Sequence, residues 1–205
     1  MKFSGLILAG GLSSRYGSIK ALAELNGKTL VRQWVDTLTL AGCSAIGIVV
    51  NKENSEVIRA AVGDTSVQIL WVYQDDPESA QFSSIQKGIE GLTDSKLLDD
   101  GTLLTPVDVL PPDQETMHRL VDKVRSTLLE DPVIASQPMF VRTQHRGHPV
   151  FLKVSFCREL LTLDPDVSRL DEILRQNRPR VLDIPVTDMN VVTNINTPLD
   201  GLSAQ

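Results

Sequence analysis

The sequence is poor in cysteine, histidine and aromatic residues, and each scarcity excludes a class of site. The two cysteines, Cys43 and Cys157, stand far apart without a CxxC pair, and the three histidines show no ligand spacing, so we predict no structural zinc site. Isolated cysteines of this kind are typical of reduced residues in a cytoplasmic protein. With five Phe, two Tyr and two Trp, the chain also lacks the aromatic platform that stacks single-stranded nucleic acid.

A surplus of positive charge and a long apolar run are missing as well. Twenty basic against 26 acidic side chains give a formal charge of −6, whereas a nucleic-acid polymer requires a basic surface. No segment approaches the roughly 18 apolar residues of a membrane span. The apolar start within residues 1–10 is too short for a signal peptide and is soon followed by Arg15 and Lys20. We therefore expect a cytoplasmic protein that binds neither membranes nor nucleic-acid polymers.

The remaining composition is typical of a globular domain. An apolar fraction of 41% and a charged fraction of 22% exclude extensive disorder, and 205 residues suit one domain with a sizeable core. We predict a single domain over residues 1–205, with two halves at 1–112 and 113–205. Any anionic ligand must then be held by a local cationic cluster that opposes the net charge.

Apolar spacing alternates between strand-like and helix-like segments. In the first half it predicts strands at 6–8, 46–50, 67–72 and 102–105, and helices at 30–40, 55–62, 83–92 and 113–129. This order predicts an α/β three-layer sandwich, in which helices cover both faces of a mostly parallel sheet. In the second half we expect further strands at 133–135, 139–141, 150–152, 181–184 and 191–192, with helices at 155–163 and 169–177. These elements would complete the same sheet and add loops on the substrate side.

A glycine-rich segment with two cations follows the first strand. It reads Leu8-Ala9-Gly10-Gly11-Leu12-Ser13-Ser14-Arg15, and Lys20 comes five residues later. Glycines let the backbone turn sharply and direct N–H groups at phosphate oxygens, and the two cations suit a polyphosphate. The segment is not a Walker A loop or a dinucleotide fingerprint, since Gly-Lys-Ser/Thr and GxGxxG are both missing. A strand-to-helix turn with solvated charges is the alternative.

A carboxylate follows the fourth strand, in Pro106-Val107-Asp108. Ligands of parallel α/β sheets bind beyond the carboxyl ends of the strands, so Asp108 is expected to point into the cleft. Oxygen ligands of this kind bind Mg²⁺, which accompanies nucleotide phosphates. The alternative is an aspartate that stabilises the turn before Pro111 and Pro112.

The pattern Ala-Gly-Gly-x-Ser-x-Arg-x-Gly-x-x-Lys at residues 9–20 resembles the signature loop of nucleotidyltransferases with a GT-A-like fold, the nucleotide-diphospho-sugar transferase type. The chain is most similar to the MobA-like and MocA-like guanylyl- and cytidylyltransferases of the molybdenum cofactor, and the resemblance extends along most of it. It implies that 1–112 binds the NTP and 113–205 faces the acceptor. The implied nucleotide-binding residues are Leu8, Ala9, Gly10, Gly11, Ser13, Ser14, Arg15, Lys20, Ser83 and Ser84.

The resemblance also implies roles for residues outside the first loop. Arg15, Lys20 and Asp108 would be the catalytic residues, and Asp108 would bind Mg²⁺ with Asn194 or Asn196. Ser83 and Ser84 match a Gly-x-Ser-Ser element that contacts the base and ribose, although Gln81 stands in place of its usual glycine.

The second half combines features of both branches of that group. Gly147-His148-Pro149 resembles the MocA-like segment that faces the acceptor, so Arg146 and His148, beside His145, would form a cationic patch for a phosphate. Asn-x-Asn-Thr-Pro at 194–198 resembles the MobA-like version instead. The stretch 163–170 lacks the glycines of the MocA-like Gly-Asp-x-Gly-Ala-Arg segment, so the acceptor need not be a molybdopterin.

These features predict a Mg²⁺-dependent enzyme that transfers a nucleoside monophosphate from CTP or GTP to a phosphorylated acceptor and releases pyrophosphate. A molybdopterin acceptor and a cofactor-accepting partner enzyme follow from the resemblance. Three alternatives stay open. They are a sugar-phosphate or alcohol-phosphate acceptor, a non-catalytic cofactor-binding or delivery protein of the same fold, and a nicotinamide-dependent oxidoreductase, which the loop spacing disfavours.

Overall fold

A seven-stranded sheet is the frame of the molecule, and the computed structural model describes residues 1–11, 19–74, 81–127 and 132–195. The strands of this sheet are β1 Ser4–Leu8, β4 Ala45–Asn51, β5 Gln68–Gln74, β6 Gly101–Pro106, β7 Ala135–Phe140, β8 Val150–Lys153 and β9 Val181–Val186. A separate two-stranded hairpin contains β2 Glu24–Leu25 and β3 Lys28–Thr29. The strand order in the large sheet is β5-β4-β1-β6-β8-β7-β9.

All neighbouring strands of the large sheet are parallel except at β8, which runs antiparallel to both β6 and β7. Strands β1 and β6 are neighbours at the centre of the sheet. Their register runs from Ser4 opposite Thr102 to Leu8 opposite Pro106, so their carboxyl ends lie at the same level. In a parallel sheet this edge is where ligands bind. The same edge receives the connections that carry the predicted nucleotide and metal residues.

Helices cover both faces of the sheet. They are α1 Leu30–Leu40, α2 Ser55–Val62, α3 Gln81–Asp94, α4 Gln114–Thr127, α5 Val154–Leu160 and α6 Leu170–Gln176, and short 3₁₀ helices occupy Lys20–Leu22, Lys52–Asn54, Arg178–Arg180 and Met189–Val192. Helices α1, α2 and α4 pack with Ile7 on one face, whereas α3, α5 and α6 pack with Leu6 and Leu8 on the other. Successive strand residues point to opposite faces, so β1 contributes to both cores. The predicted α/β sandwich with a mostly parallel sheet is confirmed.

Helix α1 supports the segment that follows β6. Its first residues are capped by Thr29, whose hydroxyl accepts a hydrogen bond from the N–H of Arg32, and Gly42 at φ 84° lies just beyond its end. Trp34, fully buried, donates its indole N–H to the Val109 carbonyl over 2.7 Å. This bond fixes the backbone next to Asp108, because Val109 is its immediate neighbour.

Two predicted strands in the second half differ from the structure. Residues 133–135 and 139–141 were expected as separate strands, but Ala135–Phe140 is one strand that includes Pro138. Pro138 has no N–H to donate, but its carbonyl accepts from the Gly147 N–H over 2.9 Å, in a part of β7 where the regular pairing with β8 has ended.

The strand predicted at 191–192 is wrong, because these residues end the 3₁₀ helix Met189–Val192. The Asp188 side chain accepts a hydrogen bond from the Asn190 N–H over 2.9 Å and begins this turn, while buried Val191 accounts for the apolar pattern. Within the described ranges, no helix is both long and apolar enough to cross a membrane.

Candidate active site

An ion pair lies at the carboxyl ends of β1 and β6. Lys20, at the start of the 3₁₀ helix Lys20–Leu22, places its Nζ 2.8 Å from Oδ2 of Asp108. The neighbouring Ala21 is buried in the core and holds this short helix against the domain. Both charged side chains are partly exposed, so the pair is accessible to a ligand. The structure thus brings together the predicted cation and the predicted metal-binding carboxylate.

The backbone around Asp108 is tied to the last described segment of the chain. The Ile195 N–H donates to the Asp108 carbonyl over 2.7 Å, and the Leu110 N–H donates to the Thr193 carbonyl over 2.9 Å. Val109 and Asn194 therefore form an antiparallel bridge, which places exposed Asn194 one residue out of register with Asp108. The other predicted amide ligand, Asn196, lies outside the described residues.

The donors at this edge fit a hard cation. No group of three or more His, Cys, Asp or Glu side chains that could hold a metal occurs in the described part of the chain. Mg²⁺, however, takes only one or two protein carboxylates and completes its octahedron with phosphate oxygens and water. The Asp108 carboxylate is an oxygen donor of that kind, so it could hold Mg²⁺ together with a bound triphosphate, while Asn194 is linked to this edge through its backbone bridge to Val109.

The glycine-rich segment begins where β1 meets β4. The Ala9 N–H donates to the Val49 carbonyl over 2.8 Å, and the Leu8 carbonyl accepts from Val107 over 3.0 Å. A Cβ on Gly10 would lie 3.2 Å from the Gln74 side-chain oxygen, so a glycine suits this close approach. Gly11 is exposed beside it. The predicted nucleotide-binding residues Ser13, Ser14 and Arg15 lie outside the described residues.

The two serines predicted to contact the nucleotide differ in burial. Ser84 is buried in α3, and its hydroxyl donates to the side-chain oxygen of Gln74 at the end of β5. Ser83 is only partly buried on the first turn of that helix. The Ser84–Gln74 contact was not predicted from the sequence, because nothing in the spacing of the two residues pairs them. Asn51, at the end of β4, adds a buried side-chain oxygen that has no hydrogen-bond partner in the described part of the chain.

A cavity of about 670 Å³ extends from the strand ends toward the second half of the chain. Leu8 and Pro106 line it at the sheet, and Gln81 and Phe82 line it from α3. Further lining comes from 146–148, from α6 and from the segments flanking that helix. The predicted residues Leu8, Arg146 and His148 therefore share one cavity.

His148 contributes a neutral imidazole to this cavity. Burial lowers its pKa to about 4, although a hydrogen bond to the Leu104 backbone and the charge of Asp108 act in the opposite direction. Among the described residues, its buried Nδ1 has no hydrogen-bond partner. At neutral pH the side chain is uncharged, so it does not add to the cationic patch expected for His145, Arg146 and His148.

Arg146 is held by a carboxylate that the sequence analysis did not single out. Its Nη2 and Nε lie 3.0 and 3.3 Å from the two oxygens of Asp183 on β9. Arg178 contacts the same carboxylate. Burial together with the charge of Arg146 lowers the pKa of Arg178. The basic run from Arg175 to Arg180 was the available signal in the sequence, but only the fold brings it to the cavity.

The fold of this chain is similar to that of several solved structures. The chain superposes on a nucleotidyl transferase from Methanothermobacter, Mth528, with a TM-score of 0.74 at 19% identity, covering 98% of this chain and 94% of that one. Rv0371c from Mycobacterium tuberculosis H37Rv gives 0.72 at 18% identity over 96% and 94% of the two chains. A manganese complex of Rv0371c gives 0.68 at 17% identity over 99% and 94%. At such identities the likeness shows the fold.

Sequence comparisons carry the relationship further. The bifunctional protein GlmU of Bifidobacterium longum subsp. infantis is 29% identical over 141 residues, which is 63% of this chain. The matched region spans 30% of the length of that curated relative. The MobA-like NTP transferase domain matches residues 5–181, which include Lys20, Asp108 and His148. The chain belongs to the MobA-like NTP transferase family.

Proposed function

We propose that the protein transfers a nucleoside monophosphate from CTP or GTP to a phosphorylated acceptor of the molybdopterin kind and releases pyrophosphate. Nucleotidyl transfer itself follows from membership of the family. The base, the acceptor and the use of Mg²⁺ are the content of the proposal. A cytoplasmic location and transfer of the product to a cofactor-accepting enzyme belong to the same proposal.

The observation that carries the proposal is the Lys20–Asp108 ion pair beside the glycine-rich segment. A cation and a carboxylate at the same strand ends can serve a triphosphate and its metal at once. Lys20 would neutralise phosphate oxygens, and the N–H groups of Gly10 and Gly11 would donate to them. Arg15 is expected to add a second cation from the same loop.

The reaction requires positioning and charge neutralisation and no protein nucleophile. An oxygen of the acceptor phosphate bonds to the α-phosphorus of the NTP. The bond from the α-phosphorus to the oxygen bridging the β-phosphorus breaks, and pyrophosphate leaves with the electron pair. Lys20 holds the phosphates against the strand ends while their negative charge is redistributed. Mg²⁺, held by Asp108 with Asn194 or Asn196, would neutralise phosphate oxygens when bound.

On the acceptor side, the cavity offers one cation and one neutral side chain from the predicted residues. The Arg146 guanidinium suits an oxyanion, because its planar fork matches phosphate geometry. The His148 imidazole is neutral and its Nδ1 is buried, so it lines the cavity without adding charge. Phosphorylated pterin-like and sugar-like acceptors both carry an oxyanion that suits Arg146.

A sugar-phosphate or alcohol-phosphate acceptor is the second candidate. It is favoured by the glycine-free stretch 163–170, since Ser168 and Leu170 at its end line the cavity. The segment that differs from the MocA-like pattern therefore lies where an acceptor would bind. A difference in this segment would change which acceptor the cavity binds.

Pyrophosphate release is the deciding measurement. The protein is incubated with Mg²⁺, each of the four NTPs and a panel that includes molybdopterin, sugar phosphates and alcohol phosphates. We expect release with CTP or GTP and one acceptor class only. Lys20→Ala should abolish it, while Lys28→Ala, an exposed lysine paired with Asp36 on the hairpin side, should not. Full activity of Lys20→Ala would overturn the assignment of this site.

A further inference from the structure

Four arginines from the second half of the chain line this cavity. Arg146 precedes β8, Arg169 precedes α6, Arg175 lies on α6, and Arg178 follows that helix. Asp171 is the carboxylate that lines the cavity with them. The chain as a whole carries a formal charge of −6, so this concentration of guanidinium groups runs against its overall sign.

Asp183 neutralises only part of this charge. Its carboxylate contacts both Arg146 and Arg178, and it also accepts a hydrogen bond from Gln137 over 3.2 Å. Two guanidinium groups therefore share one carboxylate. Burial and the charge of Arg146 lower the pKa of Arg178, which is the direction expected for cations held close together. An added anion would relieve this repulsion.

The remaining two arginines are available to a ligand. Within the part of the chain that the structure describes, Arg175 has no ion-pair partner, and it is exposed toward the cavity. Arg169 pairs with Asp171, two residues along the chain, but both side chains are about 70% exposed and such pairs contribute little. Three carboxylates, Asp171, Asp183 and Glu172, act on these four guanidinium groups, which leaves a formal surplus of one positive charge in this part of the cavity.

We propose that Arg146, Arg169, Arg175 and Arg178 form a second anion subsite, which binds an oxyanion of the acceptor other than the phosphate that attacks the nucleotide. This proposal rests on the proposed function, since it names the acceptor class of the same site. The acceptor is then a small molecule with two negatively charged ends. One end reaches the α-phosphate near Lys20, and the other is held by α6 and its flanking segments. A volume of about 670 Å³ accommodates such a molecule.

In a binding experiment without NTP, the arginine variants distinguish this subsite from the phosphate site near Lys20. Titration calorimetry of the full chain is carried out with three matched probes. They are glucose 1-phosphate, glucose 1,6-bisphosphate and glucuronic acid 1-phosphate, which differ at the sixth carbon by a hydroxyl, a phosphate or a carboxylate. We expect at least about tenfold tighter binding of one or both doubly anionic probes, because charge-assisted hydrogen bonds to arginine are strong. Comparing the affinities of the two doubly anionic probes shows whether the subsite prefers a phosphate or a carboxylate.

Arg175→Gln is the critical variant, because it removes a cation without breaking an ion pair. It should reduce the affinity for the doubly anionic probe about tenfold and change that for glucose 1-phosphate less than about twofold. Arg178→Gln should also reduce the affinity for the doubly anionic probe. Because this variant loses the ion pair with Asp183, thermal unfolding measures any accompanying loss of stability. Arg119→Gln is the matched control, since Arg119 is exposed on α4 on the opposite face of the sheet.

The outcomes separate this inference from the proposed function. Equal affinity of the wild type for all three probes, or an unchanged affinity in Arg175→Gln, would overturn the second subsite. Arginine-dependent preference for two negative charges without pyrophosphate release would leave the subsite standing and overturn the proposed transfer. Pyrophosphate release that prefers singly charged acceptors would support the proposed transfer and overturn the second subsite.

Discussion

Lys20 Nζ donates to Oδ2 of Asp108 over 2.8 Å, and this contact links the chain after the glycine-rich segment to the end of β6. The two residues are 88 positions apart in the sequence. Each belongs to a segment held by buried neighbours, Ala21 in one case and Val107 and Val109 in the other. The pair is therefore preorganised, so a nucleotide and its metal would meet charges that are already in place.

Asp108→Asn should lower turnover by at least about a hundredfold, because the amide keeps an oxygen donor but loses the charge that attracts a cation. The fold should be retained, since a partly exposed ion pair contributes only about 0–1 kcal/mol. The measurements are pyrophosphate release across a Mg²⁺ titration and thermal unfolding. Asp99→Asn is the control, because Asp99 pairs with Lys2 at the opposite edge of the sheet. Wild-type turnover in Asp108→Asn at low Mg²⁺ would contradict the metal assignment.

The buried imidazole of His148 predicts a loss of stability in acid. Its folded pKa of about 4 lies below the ordinary value of 6.5, so the unfolded chain binds the proton more readily. The stabilising effect of the neutral form is complete above the ordinary value and is lost progressively as the pH falls from 6.5 toward 4. Between pH 7 and pH 5 this residue should account for about 2 kcal/mol of the free energy of unfolding.

Urea unfolding of the nucleotide-free protein at several pH values measures that loss. His148→Gln cannot titrate, so its free energy of unfolding should depend less steeply on pH in this range, whatever its stability at pH 7. His118→Gln, at an exposed position on α4, should keep the wild-type slope. An unchanged slope in His148→Gln would show that the imidazole is not buried in neutral form.

The loop and strand pattern of the first half was sufficient to predict the position of Asp108. A short apolar strand that ends in Pro106 can place the next carboxylate only at the carboxyl edge of a parallel sheet. The adjacent Ala9-Gly10-Gly11 segment follows β1 for the same reason. Local spacing carries this information, because both motifs are contiguous in the chain.

Contacts between distant segments could not be predicted in this way. Asp183 lies in an ordinary strand pattern, and only the parallel pairing of β7 with β9 brings it beside Gln137 and Arg146. Pro138 lies between the two strands that were predicted at 133–135 and 139–141, and its place inside the single strand Ala135–Phe140 depends on tertiary neighbours such as Gly147. Burial of the His148 Nδ1 likewise depends on the surrounding tertiary packing and has no local signal.

Neither cysteine should react with thiol reagents in the native protein. Cys43 and Cys157 are buried, and burial raises the pKa of Cys157 to about 12 and that of Cys43 further still. The thiolate is the reactive form, so its population at pH 8 is negligible in the folded state. Labelling with a chromogenic disulfide reagent should be slow without denaturant and should give two equivalents in guanidinium chloride. Rapid native labelling of either residue would contradict the packing of its core.

Trp34→Phe should reduce activity through Asp108, although Trp34 itself is buried in the core. The substitution removes the indole N–H that bonds the buried Val109 carbonyl over 2.7 Å, and leaving such a group unpaired costs about 1–3 kcal/mol. The backbone beside Asp108 then loses one of its anchors, so the carboxylate is less well positioned for a cation.

We expect a raised Mg²⁺ requirement in pyrophosphate release together with a lower midpoint of thermal unfolding. Val35→Ala, also a buried position of α1, is the control for packing loss alone, since Val35 makes no side-chain hydrogen bond. If both variants lose stability but only Trp34→Phe requires more Mg²⁺, the Trp34–Val109 bond positions the metal-binding edge. An equal effect of the two on the Mg²⁺ requirement would assign Trp34 to the core alone.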